Sequence, residues 1–183
     1  MNIIRKLVSQ TATYGLSSII GRLLNYLLVP IYTRVFLPEE YGVVTELYAY
    51  VAFFAVILTY GLETAYFRFV SNQDLTPKDK ATVYSTSLIS LFVTSSIFII
   101  ITYSFSVEIA GSLGYSENIK YVEWLAIIIA IDAISSIPFA RLRNENKALR
   151  FATVRVLNIL VNISLNLYFI LYLKYGIEYI FIS

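Results

Sequence analysis

Cysteine and histidine are both absent from the 183 residues. Their absence excludes a disulfide framework, a thiolate nucleophile, an imidazole base and any Cys/His metal site, and it identifies no compartment. Charge is scarce as well: only 14% of the residues are Asp, Glu, Lys or Arg, against about 25% in soluble domains. There is no Gly-rich phosphate loop and no paired-acid loop motif, which disfavours a membrane enzyme such as a glycosyltransferase. What fills the chain instead is 58% hydrophobic and 16% aromatic residues, giving a mean hydropathy of +0.70. That balance describes an integral membrane protein. The formal net charge of +2 adds little, because in a membrane the placement of Lys and Arg matters more than their sum.

Five stretches have membrane length, about 7–36, 43–67, 82–105, 121–140 and 151–173, each near the roughly 20 apolar residues that a helical span requires. The expected fold is therefore all-α, a polytopic membrane helix bundle. Met1 to Lys6 forms a short positive flank before the first run, as in a signal peptide. That run is too long for one, is interrupted by Arg22 and Asn25, and lacks a small-residue cleavage site, so it reads as a retained first transmembrane helix. Pro30 should bend it, Pro38 closes it, and Pro77 falls in the polar loop SNQDLTPKDK. After the fifth span, KYGIEYIFIS opens a sixth helix, and its ten residues at about 1.5 Å each are too few to cross the membrane. The sequence thus reads as the N-terminal, incomplete bundle of something longer.

Orientation follows from the cations. Ten fall on the N-terminal side, among them Arg5, Lys6, Arg68, Lys78, Lys80 and the cluster Arg141, Arg143, Lys147 and Arg150, while Arg34, Lys120 and Lys174 make three on the other. This positive-inside bias places the N-terminus in the cytoplasm and argues against a dual-topology transporter. The basic stretch RLRNENKALR is read first as that topology signal, with contact to anionic headgroups as a second use. Glu63 and Arg68 are read as interfacial, and Glu46 as solvated near the outer end.

The fourteenth cation, Arg22, lies inside the first span, where a charge costs about 2.5 to 3.5 kcal/mol unless it faces a partner, a wet cavity or a polar ligand. Thr11, Ser18, Arg22 and Asn25 share one helical face. In the fifth span Asn158, Asn162 and Asn166 stack four residues apart beneath Arg155, the third offers Ser87, Ser90 and Thr94, and the fourth holds one acid, Asp132, near Ser135 and Ser136. Polar stripes on several helices suggest a shared cavity. The plainer alternative is interhelical hydrogen-bond glue at about 0.6 to 2 kcal/mol per contact, and Arg22 with Asp132 could form a structural ion bridge. The sixteen tyrosines are read as interfacial anchors by default, with stacking on sugar rings as the other use.

The stretch YGLSSIIGRLLNYLLVPIYTRVFLPEEYGVVTELYAYVAF resembles the N-terminal start of bacterial polysaccharide flippases, the Wzx-type O-antigen exporters of the polysaccharide transporter family. Pro30, Tyr32, Arg34, Pro38, Tyr41 and Gly42 carry that match. A second stretch, IPFARLRNENKALRFATVRVLNILVNISLNLYFI, is similar to the family's fourth helix, basic cytoplasmic loop and fifth helix. The resemblance implies a non-enzymatic, MATE-like transporter of two bundles in the bacterial inner membrane, which flips undecaprenyl-pyrophosphate-linked oligosaccharide to the periplasmic leaflet. On that reading Arg22 and Asn25, with Asn158, Asn162 and Asn166, bind pyrophosphate and glycan, and Asp132 balances Arg22 or takes a coupling H+ or Na+. No cofactor and no nucleic-acid partner is expected. Membrane lipids, the lipid-linked oligosaccharide, a polysaccharide polymerase and glycosyltransferases are the implied partners. The rival readings are a drug or organic-cation antiporter of the same superfamily, and a non-transporting fragment or assembly partner.

Overall fold

A computed structural model of the chain describes Gly15, Ile19, Leu23, residues 26–72 and residues 74–182. Arg22 and Asn25 lie outside the described residues, as do Thr11, Ser18 and most of the expected first span. The described residues form helices and connections, with no strand among them. Residues 26–35 form α1, followed by α2 (Pro38–Thr59), α3 (Leu62–Val70), α4 (Pro77–Ser104), α5 (Ser106–Ser112), α6 (Ile119–Asn144), α7 (Ala148–Leu167) and α8 (Glu178–Ile182). Among the described residues, four helices are long and apolar enough to cross a membrane: Pro38–Thr59, Pro77–Ser104, Ile119–Asn144 and Ala148–Tyr172.

Local chemistry sets the boundaries. Pro38 occupies the first position of α2, where its missing amide costs nothing. The Leu37 amide donates to Glu40 Oε2 at 2.9 Å, the reach-back half of a capping box, and Glu39 and Glu40 lie in the first turn, where carboxylates suit the helix dipole. This explains in physical terms why PEEYG starts a helix. At the other end of α2 the expected span 43–67 is divided. Tyr60 has φ 34° and Gly61 φ 72°, and Gly61 supplies the left-handed residue that separates α2 from α3.

Pro77, expected in a loop, instead opens α4. Thr76 and Asp79 close a capping box around it, with the Thr76 amide donating to Asp79 Oδ2 at 3.0 Å and the Asp79 amide to Thr76 Oγ1 at 3.3 Å. The 28 residues of α4 extend about 42 Å, longer than a hydrocarbon core of about 30 Å, which leaves length for its polar first turns outside an apolar layer. The basic stretch expected as a loop is mostly helix: Arg141 and Arg143 end α6, and α7 resumes at Ala148. Pro138 lies within α6 and removes the amide that would bond the Ile134 carbonyl. A π turn, Tyr168–Tyr172, continues α7, with the Leu173 amide reaching the Tyr168 carbonyl at 3.0 Å.

The chain divides into two compact units, Met1–Val44 with Glu145–Ser183, and Thr45–Asn144. In the second, α4 packs along α6 through small side chains. Ala126, Ala130, Ala133 and Ala140 of α6 are each no more than 1% exposed, and Ser87 and Ser95 of α4 are buried. Small residues let two backbones approach closely, which is how helices associate in lipid, where apolar burial alone gives no drive. Towards α3 the same seam widens into a cluster of Tyr66, Val70, Leu91, Ile137 and Ala140. Facing outward are Phe53, Val56, Ile57, Ile89 and Ile100, the apolar surface that lipid requires.

Candidate functional site

In the first unit the asparagine ladder is resolved residue by residue. Asn166 is 2% exposed; its side-chain oxygen accepts from the Tyr32 phenol of α1 at 2.8 Å. Its Nδ2 donates to the Asn162 carbonyl at 2.9 Å and to Asn162 Oδ1 at 3.4 Å. Tyr32 in turn lies against Tyr41, with ring centroids 5.9 Å apart. Two residues of the resembling motif, Tyr32 and Tyr41, thus tie α1 to the start of α2 and to α7. Asn162 is half-buried and Asn158 is exposed. The ladder therefore grades from structural glue at Asn166 to an open amide at Asn158, and the Arg155 guanidinium near it lies 5.6 Å from the Phe151 ring.

In the second unit Asp132 is exposed on α6, within electrostatic reach of the Tyr48 hydroxyl of α2. The α4 hydroxyls divide by role. Ser90 hydrogen-bonds Tyr60 at 2.7 Å, Thr94 returns its proton to the Ser90 carbonyl at 3.0 Å, and the buried Ser95 hydroxyl has no hydrogen-bond partner among the described residues. Ser87 is buried. Of the stripe, Ser90 thus bonds outside α4, as interhelical glue would, whereas Thr94 bonds back onto its own helix.

At the end where α3 meets α6, Arg143 donates to Glu63 Oε1 at 2.6 Å, the two side chains being 35% and 38% exposed. The Arg143 guanidinium lies 5.4 Å from the Phe67 ring and that of Arg141 4.6 Å from the Tyr84 ring, distances at which a cation is attracted to an aromatic face. Part of the basic cluster is thus engaged with α3 and α4.

At the opposite end, Glu46 accepts from Tyr50 at 3.3 Å and from Tyr115 at 2.9 Å, and Tyr115 meets Tyr121 edge to face at 6.0 Å. Burial, and then the Glu46 carboxylate, push the Tyr115 phenol up to about 12, so it remains a proton donor throughout the physiological range. Beside this group lies a cavity of about 370 Å³ between α2, α4, α5 and α6, with Tyr50, Phe98, Thr102, Leu125 and Ile129 on its walls. Sequence reasoning missed both features. Glu46 and Tyr115 stand 69 residues apart, and no periodicity links them.

A family model described as polysaccharide biosynthesis protein matches residues 31–180, a stretch that contains α2 through α7 entire. No curated protein and no solved structure matches the chain significantly. With four membrane-length apolar helices among the described residues and a family match over most of its length, the chain is a membrane protein that belongs to the polysaccharide biosynthesis protein family.

Proposed function

We propose that the protein acts as a transporter that moves undecaprenyl-pyrophosphate-linked oligosaccharide across the bacterial inner membrane. The observation that carries this reading is the family match itself, because it runs through all four apolar helices and so ties polysaccharide biosynthesis to a membrane-spanning architecture. A lipid-linked sugar has an apolar tail content in lipid, a glycan that needs hydrogen bonds, and a pyrophosphate whose charge must be compensated. Arg22 offers a permanent cation with a planar donor fork suited to phosphate oxygens. Asn25 lies three residues on, and the exposed Asn158 amide would exchange hydrogen bonds with sugar. Asn166 is assigned to joining α7 to α1 through the Tyr32 phenol, with its Nδ2 donating to Asn162 one turn back. Asp132 is assigned charge balance or uptake of a coupling H+ or Na+, a role that intramembrane carboxylates commonly have.

Proteoliposomes carrying the chain test the activity. A fluorescent undecaprenyl-pyrophosphate oligosaccharide placed in the outer leaflet should become shielded from an added lectin faster than in protein-free vesicles. Equal rates, with a cationic dye moved instead, would favour an antiporter.

A further inference from the structure

We propose that the cavity between α2, α4, α5 and α6 holds one hydrocarbon chain of a bilayer lipid whose headgroup carries a primary ammonium, such as a phosphatidylethanolamine. Its volume of about 370 Å³ is within the range of ligand pockets, roughly 300 to 1,000 Å³. The walls are apolar, with only the hydroxyls of Tyr50, Thr102 and Ser112 among them.

Its position identifies the occupant as a lipid chain. On α6 the lining runs from Val122 to Ile129, three to ten residues beyond the helix start at Ile119, which is about 5 to 15 Å along the axis. On α4 it runs from Phe98 to Thr102, close to the end at Ser104. The cavity therefore begins at the level of α5 and reaches about half of a hydrocarbon core of roughly 30 Å. That is the depth of one leaflet. Tyr115 and Tyr121 stand at the α5 end, where tyrosines mark the headgroup layer.

Charge identifies the headgroup. Tyr50 both lines the cavity and donates to Glu46, while Tyr115, two residues past the lining residue Leu113, donates to the other carboxylate oxygen. Glu46 thus stands at the rim with two acceptor contacts made, and a carboxylate has about four lone-pair sites to offer. Within this unit the same end carries Glu46, Glu108, Glu117 and Glu123 against Lys120. Such a rim attracts an ammonium with N–H donors and repels a pyrophosphate or a phosphatidylglycerol. This chemistry is opposite to that proposed for Arg22, and the inference does not rest on that reading.

The chain reconstituted with equimolar dioleoyl phosphatidylethanolamine and dioleoyl phosphatidylglycerol, then extracted gently and examined by native mass spectrometry, tests this. Phosphatidylethanolamine should be retained over phosphatidylglycerol by about tenfold, the ratio that corresponds to ~1.4 kcal/mol. Glu46→Gln should bring the ratio close to unity with a lipid still bound, and Ser112→Trp, a change at an exposed lip position, should remove the bound lipid. Equal retention of the two lipids by the unaltered chain would overturn the proposal. So would full retention in Ser112→Trp, or displacement of the bound lipid by added undecaprenyl pyrophosphate. If Ser112→Trp fails to fold, Glu46→Gln decides alone: an unchanged preference contradicts the assignment.

Discussion

The Tyr32 phenol reaches the Asn166 side chain at 2.8 Å across 134 residues of sequence, joining α1 to α7 through a buried amide. Tyr32→Phe would keep the ring and delete the donor, leaving a buried carbonyl oxygen with one partner fewer. A cost of about 1 to 2 kcal/mol is expected, read as a lower thermal midpoint in detergent. An unchanged midpoint would show that the bond contributes nothing and that Tyr32 is held by its ring contacts alone.

The Arg143 and Glu63 pair is more than one-third exposed on both sides, so solvent screens it. Glu63→Gln and Arg143→Gln should each cost less than about 1 kcal/mol, and a double-mutant cycle should give a coupling of about 0.5 kcal/mol that weakens as salt is raised. A coupling several times larger would mean that the pair is desolvated in the membrane-bound protein.

The α4 and α6 seam depends on small side chains. Ala133 is fully buried, so Ala133→Leu must push α4 away or force strained rotamers, at a cost of about 1 to 3 kcal/mol. The same exchange at an exposed alanine, Ala52→Leu in α2, should be nearly neutral. Equal effects at the two positions would refute close packing along this seam.

The Tyr115 phenol is held up to about 12 from 10.0, so the folded state favours its protonated form. The stability this contributes is complete below pH 10 and is lost as pH rises from about 10 to 12, because the unfolded chain ionises first. Tyr115→Phe should abolish that part of the alkaline loss while leaving the melting profile between pH 6 and 9 similar in shape. An identical alkaline profile in both proteins would separate Tyr115 from Glu46.

The existence and type of the long helices were legible because length and hydropathy are local properties: the spans expected near 82–105, 121–140 and 151–173 coincide with α4, α6 and α7 to within a few residues. Their ends were less so. The Thr76, Pro77 and Asp79 box carries a start signal that the polarity of SNQDLTPKDK obscured, and the kink at Tyr60 and Gly61 is a backbone event inside an unbroken apolar run. The polar stripes were legible as positions on helix faces and not as roles. Spacing places Asn158, Asn162 and Asn166 together, but only the reach of Tyr32 from another helix makes Asn166 a structural amide. The Glu46 and Tyr115 contact and the adjoining cavity depend on pairings that no sequence period encodes.

The proposed contact with pyrophosphate rests on one cation, Arg22, which lies outside the described residues and is assigned from its place in the first apolar run. The affinity of the reconstituted chain for undecaprenyl-pyrophosphate oligosaccharide, compared between the unaltered protein and Arg22→Ala, tests it most directly. A charge-assisted phosphate contact contributes about 1.5 to 3 kcal/mol, so the account predicts a loss of roughly tenfold or more, with binding of an uncharged polyprenol unaffected. Equal affinity in a well-folded Arg22→Ala protein would contradict it.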